Sequence, residues 1–151
     1  MQLTQKETSL LKDLKMQEKI CAEKYQKHAQ IACDGQLRTL FTDLASVEQR
    51  HYSLLEQIEK GTVPQLSGST PSECKSFTST YGIGETPEKA SDSYLCNDLL
   101  ASEKHASSLY DTCIFEFTNH DLRTVLNHIQ AEEQHHGKEL YDYMSANNIQ
   151  S

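Results

Sequence analysis

Long apolar runs are missing from this chain. No stretch approaches the roughly 18 uncharged residues that a membrane-spanning helix needs. Met1 to Asp34 is interrupted by polar residues too often to hold the apolar core of a secretory leader. No membrane association is expected, and the chain reads as intracellular and cytoplasmic. Positive charge is also scarce: 14 Lys and Arg against 22 Asp and Glu leave a formal net charge of −8. Such a chain repels a phosphate backbone, so no nucleic-acid partner is expected. Cysteine spacing is equally uninformative for staples or thiolate metal sites. Cys21, Cys33, Cys74, Cys96 and Cys113 are an odd set with no CxxC pair. Cys21, Cys96 and Cys113 read as small core residues, Cys33 and Cys74 as near-surface thiols. With 151 residues there is room for one ordinary domain and its core.

Proline is confined to one place. Pro64, Pro71 and Pro87 all fall in 61–89, together with four of the six Gly and many Ser and Thr, which marks a long connection between two structured halves. On both sides of it apolar residues recur at spacings of three and four, the helical period. Thr4 with Glu7 forms a capping box, Asp34-Gly35 and Thr118-Asn119-His120-Asp121 interrupt the pattern, and Asn147-Asn148 ends it. The spacing predicts an all-α chain of four helices, at about 5–33, 36–60, 89–117 and 121–146. Thr70-Pro71-Ser72-Glu73 offers a helical turn inside the connection.

The halves repeat. A shift of 85 residues without a gap pairs Asp13-Leu14 with Asp98-Leu99, Glu18-Lys19 with Glu103-Lys104, and Tyr25 with Tyr110. It also pairs Leu37-Arg38-Thr39 with Leu122-Arg123-Thr124, Glu48-Gln49 with Glu133-Gln134, and His51 with His136. Each half is one helical hairpin (5–60 and 89–146, joined by 61–88), and one hairpin alone cannot bury its apolar stripe. Carboxylates break all four stripes. Glu18 interrupts the seam Leu11, Leu14, Cys21, Tyr25, His28, Ala32. Glu103 interrupts Cys96, Leu99, Ala106, Tyr110, Cys113, Phe117. Glu48 and His51 sit between Leu44 and Leu55, and Glu133 and His136 between Ile129 and Leu140. An unpaired buried carboxylate is too costly to keep, so four Glu and two His in facing seams ask for a cation.

Depth along the bundle agrees. The midpoint of Glu18 and the Glu48/His51 pair lies at about residue 34, and that of Glu103 and the Glu133/His136 pair at about residue 119, both inside turn signals. Each hairpin therefore sets one Glu opposite one Glu-x-x-His, whose i, i+3 spacing turns both side chains to one face. Each supplies half of a dinuclear site. The connection suits this arrangement: helix three must begin about 35–40 Å from the end of helix two, and some 28 linker residues span about 90 Å when extended.

These residues resemble the ferritin-like superfamily of di-iron carboxylate bundles, in which Glu, Glu-x-x-His, Glu and Glu-x-x-His come from successive helices. Glu18, Glu48, His51, Glu103, Glu133 and His136 fill all six positions. The phrasing Asp13-Leu14, Glu18-Lys19, Tyr25, Leu37-Arg38, Glu48-Gln49, His51 is similar to the spore coat protein F family and, less specifically, to rubrerythrins. The resemblance implies a single ferritin-like domain over 1–151 built from two duplicated hairpins with a long crossover. It also implies terminal ligation by Glu18, Glu103, His51 and His136, and bridging by Glu48 and Glu133. Two Fe ions or Mn suit oxygen donors with two imidazoles, and Zn would bind the same set.

Function divides here. A rubrerythrin-like centre would reduce peroxide or O2. It would need a separate electron donor, because rubrerythrins carry an iron-thiolate domain and this chain has no CxxC. The coat resemblance implies instead a structural or interaction protein of the spore coat, with coat proteins or a second copy in a homodimer as partners. Many coat relatives lack a complete ligand set, and the bland reading of the six residues is a polar core of Glu-His pairs and water. Glu132-x-x-His135 is a competing motif one residue out of the seam and reads as surface. His28 reads as a satisfied core histidine, Tyr25 and Tyr110 as core residues with bonded hydroxyls, and Arg38 and Arg123 as partners for Asp13 or Asp98.

Overall fold

Local signals at the helix ends act as the sequence suggests. The computed structural model describes residues 1–66 and 75–151 of the chain. The helical turn expected at Thr70–Glu73, and Cys74, lie outside the described residues. Helix α1 spans Gln5–Ile31, α2 Gly35–Glu59, α3 Pro87–Glu116 and α4 His120–Ala146, with no strand among the described residues. The Thr4 hydroxyl accepts from the Glu7 N–H at 3.1 Å, and the Glu7 carboxylate accepts from the Thr4 N–H at 3.0 Å, satisfying two donors at the start of α1. Asp34 caps α2 and Asn119 caps α4 through side-chain oxygens. Helix α3 starts two residues before the expected position, because Thr86 caps it and Pro87 fits the first turn.

The helices pack around one axis, α1 against α2 and α3, and α4 against α3 and α2. Asp92, near the start of α3, accepts the N–H groups of Cys33 and Asp34 in the α1–α2 turn at 2.8 and 2.9 Å. Helix α2 ends at the opposite pole, where Glu59 pairs with Lys15 of α1. The end of α2 and the start of α3 therefore lie at opposite poles of the bundle. The return of the connection is anchored by Asn147, whose buried side-chain oxygen accepts the N–H groups of Thr80 and Tyr81.

Every seam position named above is buried except His28, which is partly exposed. The apolar core is divided in two. One cluster, with Tyr25, Leu40, Phe41, Leu99, Leu140 and Tyr143, fills the end near the α1–α2 turn. The other, with Leu11, Leu14, Leu55, Tyr110, Leu126 and Ile129, fills the opposite end. Each large apolar side chain so buried contributes on the order of 2 kcal/mol. The seam Glu and His residues lie in the layer between.

Candidate metal centre

The central layer gathers all six residues. Glu18, Glu48 and His51 are 0 % exposed, Glu133 1 %, His136 2 % and Glu103 3 %. Two overlapping groups have their oxygen and nitrogen atoms all within 4.8 Å of one another: Glu18, Glu48, His51 and Glu133, and Glu48, Glu103, Glu133 and His136. Glu48 and Glu133 belong to both. The helical register explains this, since i, i+3 places Glu and His of α2 on the face that meets the same pair of α4.

The contacts obey the 85-residue relation. His51 Nδ1 lies 3.0 Å from Glu133 Oε1, and His136 Nδ1 lies 3.0 Å from Glu48 Oε1. Tyr25 donates to Glu103 at 2.6 Å and Tyr110 donates to Glu18 at 2.5 Å. The two imidazoles stack with centroids 6.0 Å apart. Each hairpin thus bonds the carboxylate of the other, which is where the tyrosine hydroxyls find the partners expected of them. Rise along their own helix, by contrast, puts them about 10 Å from Glu18 and Glu103.

One oxygen of every cluster carboxylate, Oε2 of Glu18, Glu48, Glu103 and Glu133, is buried without an N–H or tyrosine O–H donor. Burial, together with the charges of Glu103 and Glu18, pushes Glu48 up to about 8. Burial and the surrounding carboxylates raise Glu133 well above the usual range. At Glu18 burial is outweighed by hydrogen bonds from Glu48 and His51, the His51 charge and the Tyr110 hydroxyl, which bring it to about 2. Glu103 is lowered in the same way: burial is overcome by the charge of His136 and by bonds to Glu133, His136 and Tyr25. Burial disfavours the imidazolium form of both histidines, yet the carboxylates around His51 and His136 raise them well above their usual value. Two of the four acids are thus pushed toward the protonated form and two toward the ionised form, beside two histidines whose charged form is favoured. The donor set and its unpartnered oxygens fit divalent cations.

Several neighbours correct the sequence reading. Glu132 is not a plain surface group: its Oε1 is 3.2 Å from His51 Nε2 and 2.9 Å from His128 Nε2. A carboxylate on the far ring nitrogen fixes which nitrogen faces the cluster. The signal was present, since Glu132 precedes Glu133 on the face turned toward α2. His135 is also partly covered, paired with Glu139 at 2.9 Å. His28 bonds Asp98 at 2.7 Å through Nε2, and its buried Nδ1 has no partner. Arg38 donates to the carbonyls of Ala32 and Cys33, closing the end of α1, rather than to Asp13 or Asp98. Cys21, Cys96 and Cys113 are buried and Cys33 is exposed.

An all-helical four-helix chain with a buried acidic and imidazole layer is the class that fold and site define. The Coat F domain family model matches residues 91–149, which take in almost all of α3 and all of α4. No curated protein and no solved structure matches the chain. The rubrerythrin likeness has no counterpart in these comparisons. Among the described residues no helix is long and apolar enough to cross a membrane.

Proposed function

We propose that the chain is a spore-coat protein whose bundle serves as a structural or interaction unit, with other coat proteins as its partners. The match of the Coat F domain to residues 91–149 carries this reading. It favours the structural alternative over a redox enzyme. A tagged chain expressed in a spore-forming host tests it: fractionation should recover the protein with the coat layers. Recovery wholly in the soluble fraction of sporulating cells would count against it.

A second reading is favoured by the unpartnered Oε2 atoms of Glu18, Glu48, Glu103 and Glu133. The chain would be one ferritin-like domain over 1–151, made of duplicated hairpins, with a dinuclear site for Fe, Mn or Zn. Glu18 and His51 on one side, and Glu103 and His136 on the other, would ligate at the ends, with Glu48 and Glu133, common to both groups, as bridges. A bound iron pair would supply peroxide or O2 reduction of the rubrerythrin kind, fed by a separate electron donor. The protein's own part is to orient the imidazoles through Glu132, hold the carboxylates through Tyr25 and Tyr110, and keep water out between two apolar clusters. In a coat scaffold the same ions would clip the hairpins together. Elemental analysis of the unmodified chain and of the His51→Ala plus His136→Ala double variant tests the reading. About two ions per chain, lost in the variant, are expected for a bundle of this ligand type. No metal in a folded unmodified chain would leave the coat reading alone.

A further inference from the structure

We propose that divalent metal ions reach the buried Glu and His layer through a cleft between α3 and α4 that Gly137 leaves open. The inference rests on the metal reading above. The cleft, about 430 Å³, is lined by Leu100, Glu103, Glu133 and Gly137 and also by Lys104 and Lys138. Glu103 and Glu133 are 3 % and 1 % exposed, and each has an unpartnered Oε2. Two residues lining the cleft thus each carry an oxygen that no protein donor reaches, a ligand type that suits an incoming divalent cation. Lys138 is paired with Asp142. Lys104 is exposed, and its charge is screened within about 10 Å in 0.1 M salt.

The other hairpin supplies the contrast. Its corresponding cleft between α1 and α2, about 420 Å³, is lined by residues including Lys19, Ala22, Gln49 and Tyr52, and no cluster carboxylate lines it. Position 52 corresponds to position 137 under the 85-residue shift, so a tyrosine stands on α2 where α4 has glycine. Lys15 lies over the Tyr52 ring at 5.3 Å and is itself held by Glu59 at 2.5 Å. An aromatic side chain thus lines this cleft where Gly137 lines the other. At Gly137 an added Cβ would meet nothing closer than Leu100 Cδ1 at 3.7 Å. The space is vacant, and a longer side chain there would grow into the cleft.

The test is the rate of Co2+ uptake by the metal-free full chain, followed by the visible absorption of the bound ion in a stopped-flow instrument, with final content from elemental analysis. Gly137→Tyr should slow uptake about tenfold or more, the factor given by a barrier raised by about 1.4 kcal/mol, and leave the final content unchanged. A folded Gly137→Tyr variant that loads at the unmodified rate would overturn the proposal, as would one whose final content falls while its rate holds. If circular dichroism finds Gly137→Tyr unfolded, Gly137→Ala and Gly137→Leu decide. A rate falling as the side chain grows is expected, and a flat series overturns the proposal. An unmodified chain that takes up no Co2+ overturns the metal reading and this inference with it, an outcome distinct from unaltered rates in the variants.

Discussion

The hairpin of α1 and α2 and the hairpin of α3 and α4 make the same contacts at the central layer and different ones around it. Tyr25 bonds Glu103 as Tyr110 bonds Glu18, and His51 meets Glu133 as His136 meets Glu48. Outside that layer the correspondence lapses. Glu132 holds the far nitrogen of His51, whereas the position corresponding to Glu132 on α2 is Val47, which has no acceptor to offer His136. Tyr52 fills the place that Gly137 leaves vacant. The difference follows from cost. Four carboxylates buried together must balance their charge and proton count, so a change at one of them unsettles all. A residue one shell further out alters a single imidazole or a single cleft, and can diverge.

The largest effect should come from the two shared carboxylates. On the dinuclear reading, Glu48→Gln and Glu133→Gln each remove a carboxylate ligand common to both groups, so each should lower the metal content from about two ions per chain to nearly none. Equal losses in elemental analysis would bear out the interior likeness. Loss in one variant alone would break it.

Acidity probes the same interior without substitution. Above about pH 6.5 the unfolded chain has released its histidine protons, while folded His51 and His136 keep theirs and folded Glu48 keeps its own up to about 8. The raised Glu133 adds to the same side, and Glu18 and Glu103, both lowered, are ionised in either state. The folded state therefore binds more protons than the unfolded one, and stability falls as pH rises. The imidazole contribution is complete below the unfolded value and is lost as pH climbs through the folded one. Thermal melts of metal-free protein should show Tm dropping from pH 6.5 to 9, with a flatter profile once metal replaces the protons. A level metal-free profile would mean that the histidines are neutral in the folded cluster.

Helix positions and the register of the six buried Glu and His were legible in the sequence because both depend on local spacing. Thr4 caps where its capping box predicts, the turns at Asp34 and Asn119 fall where the helical pattern is interrupted, and Glu18, Glu48, His51, Glu103, Glu133 and His136 meet because the seams and the turn midpoints fix their depth. What escaped depends on distance between chain segments. The hydroxyl of Tyr25 crosses to Glu103, 78 residues away, and no spacing within α1 carries that partner. Arg38 turned to the open carbonyls of the α1 terminus, a nearer target than the carboxylate of Asp98, which Lys24 and His28 occupy. Glu132 reads as surface in the sequence because it stands one residue out of the seam. A long side chain beside a narrow α2–α4 contact nevertheless reaches back.

Glu132 gives the next test of the difference between the halves. Glu132→Gln keeps shape and removes the charge behind His51, so on the dinuclear reading one of the two ions should bind about 10- to 100-fold more weakly. Val47→Ala, at the corresponding place on α2, should leave both affinities as they were. Calorimetric titration with Co2+ or Zn2+ separates the outcomes. Equal weakening of both ions by Glu132→Gln would mean that the shared carboxylates pass the change across the cluster.

The smallest expected effect concerns Gly137 in metal-free protein. It lies inside α4, where glycine costs about 0.5–1 kcal/mol relative to alanine through backbone entropy. A Cβ there makes ordinary contact with Leu100 at 3.7 Å and no clash. Gly137→Ala should therefore stabilise the fold by that amount and raise Tm by about 1–4 °C for a chain of this size. Tyr52 occupies the corresponding place in α2 with a full side chain, so helix packing by itself does not demand glycine at this register. A stability gain would show that glycine is retained at a cost to the folded state, and would locate its use in the open cleft. A loss would place the need for glycine in the approach of α3 to α4, which the distance to Leu100 does not require.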